Sequence, residues 1–246
     1  MDKHKLRRKI ANWIFTAVRT FIPLECPICE NMPMDDSPNM LCARCYSLLK
    51  FVKKPACPGC GGPVTGIMDM CSSCMNAAAA RPWKKAFSLY EMTGFGKELI
   101  HEFKYRKQTH FCRMFGRMIA MHLGEEIRAE KFDYIVPTPL HWFRKIQRTY
   151  NQSELLAERV GCELDLPMIQ NLRRCKWTHQ QAHLDQKARI KNLKDAFKVV
   201  HPEKIAGKSL LLVDDVLTTG ATLAAAAQCL LDAGAKKICV LVIARR

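Results

Sequence analysis

One stretch constrains this chain more than any other. Residues 210–213, Leu-Leu-Leu-Val, run directly into Asp214 and Asp215, and then into Val216, Leu217, Thr218, Thr219, Gly220, Ala221 and Thr222. An unbroken apolar run bounded by polar residues describes a strand buried on both faces, as in parallel sheets covered by helices. Open α/β sheets take ligands at the carboxyl ends of their strands, and here that end carries two adjacent acids. A loop of small hydroxyl residues with one glycine follows, then a helical pattern over 221–231 closed by Gly234. Loop amides and a helix N-terminus favour an anion, above all a phosphate. Thr218, Thr219 and Thr222 can add hydroxyl donors, and Gly220 lets the backbone come close. Two carboxylates beside a phosphate would repel it unless they face another group, and ribose hydroxyls or a bound Mg²⁺ are suitable. Helix-capping threonines alone would explain the hydroxyls but not the paired acids.

The rest of the body alternates in the same style. Strands are predicted over 86–92, 132–136, 209–213 and 237–243, and helices over 95–105, 111–128, 153–160 and 221–231, with Ser153 as an N-cap. Strand, helix, strand with continuous apolar strands predicts an α/β fold with a parallel sheet and helices on both faces. The 246 residues, 48% of them apolar, suffice for that domain and a smaller one.

The smaller one is announced by cysteines. Eight of the thirteen form four C-x-x-C pairs between Cys26 and Cys74. Four identical two-residue spacings suit metal ligands, not a secreted disulfide framework, so a reducing compartment is expected, the cytoplasm. Cys26, Cys29, Cys42 and Cys45 form one quartet, and Cys57, Cys60, Cys71 and Cys74 the other. Each quartet can close a tetrahedron around one Zn²⁺, giving two zincs with no open coordination position and therefore structural roles. Sequential pairing is favoured because each set closes within a short loop. A cross-braced set of Cys26, Cys29, Cys57 and Cys60 also fits the spacing. The metal would replace a core that so short a module cannot build.

The predicted layout is an N-terminal amphipathic helix over 1–24, a double zinc ribbon over 25–76 and the α/β domain over 77–246. Ile10, Trp13, Ile14, Ala17, Val18 and Phe21 follow helical spacing, and the stretch is too short to span a bilayer. Packing on the protein itself is the plainer expectation for this helix. Contact with the inner face of a membrane is the sharper one. No transmembrane segment is expected. The net charge of +16 points to anionic partners: nucleic acid, phosphorylated metabolites or an anionic membrane face.

Residues 210–222 match the phosphoribosyl pyrophosphate (PRPP) signature of type I phosphoribosyltransferases. The whole chain resembles the ComF family of competence-associated, phosphoribosyltransferase-like proteins. Val136-Pro-Thr-Pro-Leu140, followed by Arg144, Arg148, Asn151 and Gln152, is similar to the family's V-P-x-P-L and R-G-F-N-Q blocks. Thr178, Gln181, Leu184, Arg189, Asn192 and Phe197 are similar to its T-x-x-Q-x-x-L…R-x-x-N…F block. Thr149 replaces the glycine of R-G-F-N-Q. The resemblance implies a type I phosphoribosyltransferase-like sheet preceded by a zinc-ribbon module. It also implies that Asp214 and Asp215 hold the ribose hydroxyls of Mg²⁺–PRPP, and that Thr218, Thr219, Gly220, Ala221 and Thr222 cradle the 5-phosphate. Thr138, Arg144, Arg148, Gln181 and Arg189 would serve the pyrophosphate, the last two from a flap over about 173–194. That stretch carries seven Lys and Arg residues against one acid, Asp185.

Three functional expectations follow. The first is a PRPP-binding protein linked to DNA uptake that handles single-stranded DNA, with Trp142, Phe143, Tyr150 and Trp177 among basic residues as stacking candidates and the uptake machinery as a partner. The second is an active phosphoribosyltransferase on an unidentified acceptor; no general base or nucleobase pocket can be named from the sequence. The third is a PRPP sensor without turnover.

Overall fold

The computed structural model describes residues 26, 28–30, 41–64, 68–76, 81–105, 110–139, 151–175 and 196–246. The expected N-terminal helix over 1–24 lies outside them. Two compact units are present, Met1–Leu48 and Leu49–Arg246. The first holds helix α1 (Ala43–Ser47). The second holds, in chain order, α2 (Ser72–Met75), β1 (Lys85–Glu91), α3 (Phe95–Tyr105), α4 (His110–Ala129), β2 (Tyr134–Pro137), α5 (Gln152–Leu164), β3 (Leu172–Arg174), β4 (Phe197–Val199), β5 (Ser209–Leu217), α6 (Ala221–Asp232) and β6 (Lys237–Arg245).

Four strands form a parallel sheet in the order β1-β6-β5-β2. The central strands β5 and β6 are the most continuously apolar, as strands covered on both faces must be. Leu210, Leu212, Val240 and Val242 pack with Leu223, Ala226, Ala227 and Leu230 of α6. The alternating residues Leu211, Val213, Leu241 and Ile243 are also fully buried and point to the other face. On the helical layer, α4 runs against α5, α5 against β2 and β5, and α4 against β1. The helices and strands predicted for the α/β body all appear, with β5 and β6 longer than expected. The reason for β5 is that Asp214 and Val216 still pair with Val242 and Ala244 of β6, so the acids lie within the strand. Strands β3 and β4 form a separate antiparallel ribbon, and Leu172 and Phe197 anchor it in the core beside α6.

Both flanks of the sheet are closed. Beyond β2, the Ile135 N–H donates to Pro167 O at 3.0 Å and the Ile169 N–H to Ile135 O at 3.0 Å. Beyond β1, the Glu91 N–H donates to Lys50 O (2.9 Å), the Val52 N–H to Leu89 O (3.1 Å) and the Ala86 N–H to Pro58 O (2.8 Å). Ser88 Oγ adds a bond to Cys60 O at 2.9 Å. The second cysteine quartet is thereby laid along β1. Gly61, at φ 68°, makes this approach possible: a Cβ there would stand 2.7 Å from both Ser88 N and Ser88 Oγ.

Candidate functional site

Because β5 delivers Asp214 and Asp215 while still paired, the backbone fixes both acids. Asp214 Oδ1 accepts from Ser153 Oγ (2.9 Å) and from the Asp215 N–H (2.9 Å). Asp215 Oδ2 meets Lys104 Nζ at 3.1 Å. Burial, and then the neighbouring Asp215 charge, push the Asp214 carboxyl up to about 7, against the lowering effect of the Ser153 and Asp215 hydrogen bonds. The two acids are thus differently equipped. Asp215 has a cation beside it, whereas Asp214 has mainly dipoles.

Three consecutive residues at the start of α5 build this arrangement. Asn151 is the N-cap, its side chain accepting from the Ser153 N–H, and its Nδ2 donates to Thr138 O at 3.1 Å. Gln152 Nε2 donates to Lys104 O at 3.2 Å, at the end of α3. Ser153 reaches Asp214. The sequence expectation that Ser153 caps the helix is therefore corrected. Asn151 caps the helix two residues earlier by accepting the Ser153 N–H, which leaves the serine hydroxyl for the acid.

Thr138 follows β2 and is buried, with its N–H bonded to Val213 O at 2.8 Å, next to Asp214 along β5. Its Oγ1 is enclosed without a hydrogen-bond partner among the described residues. A buried hydroxyl in that state costs stability unless something else satisfies it.

After Leu217 the chain turns through Thr218 and Thr219, both exposed, to the buried Gly220 at φ 80°. Gly220 is the N-cap of α6, and Thr219 Oγ1 accepts the Ala221 N–H at 3.4 Å. The left-handed conformation at Gly220 aims the first amides of α6 into the turn, where a small anion can be held. The structure thus gathers Thr138, Asp214, Asp215 and residues 218–222 at one end of the sheet. Arg144, Arg148, Gln181, Arg189 and the aromatic candidates at 142, 143, 150 and 177 lie outside the described residues. The roots of the basic stretch are seen: β3 and β4 pair Arg174 with Phe197, and the Cys175 N–H donates to Ala196 O. Sequence reasoning missed Lys104 and the role of Ser153. Lys104 carried no signal within its helix, whereas Ser153 adjoined the Asn151–Gln152 block.

The cysteines form two sequential quartets, Cys26/Cys29/Cys42/Cys45 in the first unit and Cys57/Cys60/Cys71/Cys74 in the second, with the Sγ atoms of each within 4.8 Å of one another. Sulfurs about 2.3 Å from a central zinc in a tetrahedron stand about 3.8 Å apart. Cys29 and Cys42 are 3.9 Å apart, and Cys60 and Cys71 3.7 Å, far beyond a disulfide bond. Knuckle amides already address the sulfurs, as from Gly62 N to Cys60 and Cys71 N to Cys57, each at 3.4 Å. Burial opposes thiolate formation at Cys57, but the amides of Cys71, Cys60 and Gly59 outweigh it and lower this thiol to about 7. The same contest, with the Cys42, Cys29 and Ile28 amides, lowers Cys26 to about 7. Both quartets fit structural zinc, and the cross-braced alternative is set aside.

Comparison with known proteins agrees with this construction. The family model for the phosphoribosyl transferase domain matches residues 152–246, and that for the double zinc ribbon domain matches residues 17–75. Competence protein F of Haemophilus influenzae is 31% identical over 212 residues, covering 84% of this chain and 91% of its own. DNA utilization protein YhgH of Salmonella typhimurium is 31% identical over 231 residues, covering 91% and 98%. Competence protein ComFC of Bacillus subtilis is 29% identical over 198 residues, covering 79% of each chain. Among the described residues no helix is long and apolar enough to cross a membrane.

Proposed function

Since the chain belongs to the family of competence protein F, ComFC and YhgH, we propose that it binds Mg²⁺–PRPP at the end of β5 and acts in the use of DNA taken up by the cell, handling it as single strands. One observation carries the ligand assignment: two acids fixed by a paired strand stand between a buried, unpartnered Thr138 hydroxyl and the first turn of α6. Asp214 and Asp215 address the ribose hydroxyls, directly or with Mg²⁺. Residues 218–222 surround the 5-phosphate, and Thr138 faces the pyrophosphate with Arg144, Arg148, Gln181 and Arg189. Isothermal titration with Mg²⁺–PRPP tests the reading, and saturable one-to-one binding is expected.

The raised Asp214 carboxyl gives that titration a pH signature. Ribose hydroxyls and Mg²⁺ both favour the carboxylate, so affinity should increase from pH 6 to pH 8. The slope approaches about tenfold per unit below the raised value, with a proton released on binding. Titrations in two buffers of different ionisation heat count that proton. Asp214→Asn should remove the proton release attributable to this carboxyl.

For the nucleic-acid role, the +16 charge supplies the attraction. A gel shift with a single-stranded oligonucleotide should weaken steeply as salt rises, because phosphate contacts release counterions. Binding that ignores salt, or none at low salt, counts against this role.

A further inference from the structure

Between Cys57 and Cys60, the carbonyl of Gly59 accepts two side-chain hydrogen bonds, from Arg81 Nη1 at 2.6 Å and from Trp83 Nε1 at 3.0 Å. Gly59 itself is pressed against the quartet, since a Cβ there would lie 3.0 Å from Cys74 Sγ. Arg81 and Trp83 are also joined to each other, the guanidinium carbon lying 5.4 Å from the indole centroid. Trp83 is buried in the core cluster that also contains Cys57 and Cys60 of the knuckle and Leu217 and Leu223, which flank the phosphate loop in the chain. The far side of this pair faces Gly220. A Cβ built on that glycine would stand 3.4 Å from Trp83 Cη2 and 3.7 Å from Arg81 Cζ, so the two side chains form the wall behind the loop.

We infer that Arg81 and Trp83 are positioning residues for the phosphate loop, held by the Gly59 carbonyl of the second zinc knuckle and holding Gly220 in turn. This inference rests on the reading of residues 218–222 as the 5-phosphate site. The loop needs Gly220 in a left-handed conformation to aim the α6 amides inward, and a glycine gains no steric restraint from its own side chain. Restraint has to come from outside, and this wall provides it. The Arg81 guanidinium also puts a positive charge beside the loop, a favourable background for an incoming phosphate. The second cysteine quartet is thereby linked to the ligand site through one turn and two side chains, joined at the Gly59 carbonyl.

The test compares Arg81→Ala and Trp83→Phe with the parent chain, using zinc content and thermal melting to confirm that each variant is folded and holds two zincs. Trp83→Phe removes the indole N–H and the outer ring while keeping an aromatic core residue. Titrations use PRPP with Mg²⁺, ribose 5-phosphate, and pyrophosphate with Mg²⁺. Arg81→Ala should weaken ribose 5-phosphate and PRPP about tenfold, in the range of coupling through packed side chains, with pyrophosphate changed less than twofold. Trp83→Phe should act in the same direction on the same two ligands. A general loosening would weaken all three ligands alike, and that outcome overturns the inference. Unchanged ribose 5-phosphate binding in both folded variants overturns it too. If the parent chain binds none of these ligands, the function proposed above fails, and hydrogen exchange at residues 218–224 then decides the positioning by itself. Exchange should be faster in both variants. Equal exchange ends the inference.

Discussion

Replacing Asp214 and Asp215 together by asparagine should abolish PRPP binding while leaving the fold intact. Each carboxylate is expected to accept hydrogen bonds from the ribose or to face Mg²⁺, and hydrogen bonds to charged groups contribute about 1.5–3 kcal/mol each. Losing two such groups weakens binding by roughly two to four orders of magnitude, beyond an ordinary titration. Asparagine keeps the Oδ1 that accepts from Ser153 and from the Asp215 N–H, so β5 and α5 stay joined. Stability should move the opposite way at Asp214. Its folded carboxyl prefers the proton up to about 7, so the parent chain loses stability as pH rises from the ordinary carboxylate range through that value. Asp214→Asn removes this loss, and its melting temperature at pH 8 should exceed the parent's, with the gap closing at pH 4. Binding lost and stability gained at one position is the mark of a site kept strained for its ligand. A double variant that titrates like the parent would remove the site assignment.

The two zinc quartets should differ in what their loss does. Structural zinc in small cysteine modules supplies an apparent binding free energy of about 10–16 kcal/mol, comparable to the whole stability of a domain. Cys29→Ser falls in the unit Met1–Leu48, and the larger unit should keep its cooperative melt. Cys60→Ser falls in the larger unit, where the quartet holds the knuckle against β1 and shares a core with α6. That variant should lose the cooperative near-ultraviolet transition or fail to stay soluble. Zinc content by mass spectrometry together with circular dichroism checks both. Equal effects on the large unit would show that the second quartet is not part of its core.

The strand, loop and helix at 209–232 were legible because burial and charge alternate there at the scale of single elements. An unbroken apolar run marks a central strand, and its polar end marks the ligand face. The end of that strand was misjudged for the same reason. Asp214 looks like a terminus, yet backbone pairing with Val242 continues through it, and pairing leaves no trace in side-chain polarity. The cysteine quartets were legible as ligands, but not their neighbourhood. Main-chain bonds from the Ala86 N–H to Pro58 O and from the Glu91 N–H to Lys50 O leave no mark in side-chain type. Arg81 and Trp83 sit just ahead of β1, in a stretch that carries no motif and no periodicity. The β3–β4 ribbon escaped notice because two strands of three residues each carry too little periodicity. Lys104 had nothing in the sequence to set it apart from Lys97, the other lysine of its helix.

Strand order has a consequence during synthesis. β1 and β2 are made early, but β5 and β6, which separate them in the sheet, emerge last. For most of translation the sheet has no centre. β1 nevertheless has a partner from the start, because residues 50–62 leave the ribosome just before it and bond along its outer side. These contacts close much smaller loops than pairing to β6, which must await the last strand of the sheet. A nascent chain that has captured its zinc thus shelters one side of its first strand long before the other side is filled. A chain made under zinc starvation waits with both sides of that strand open to its neighbours.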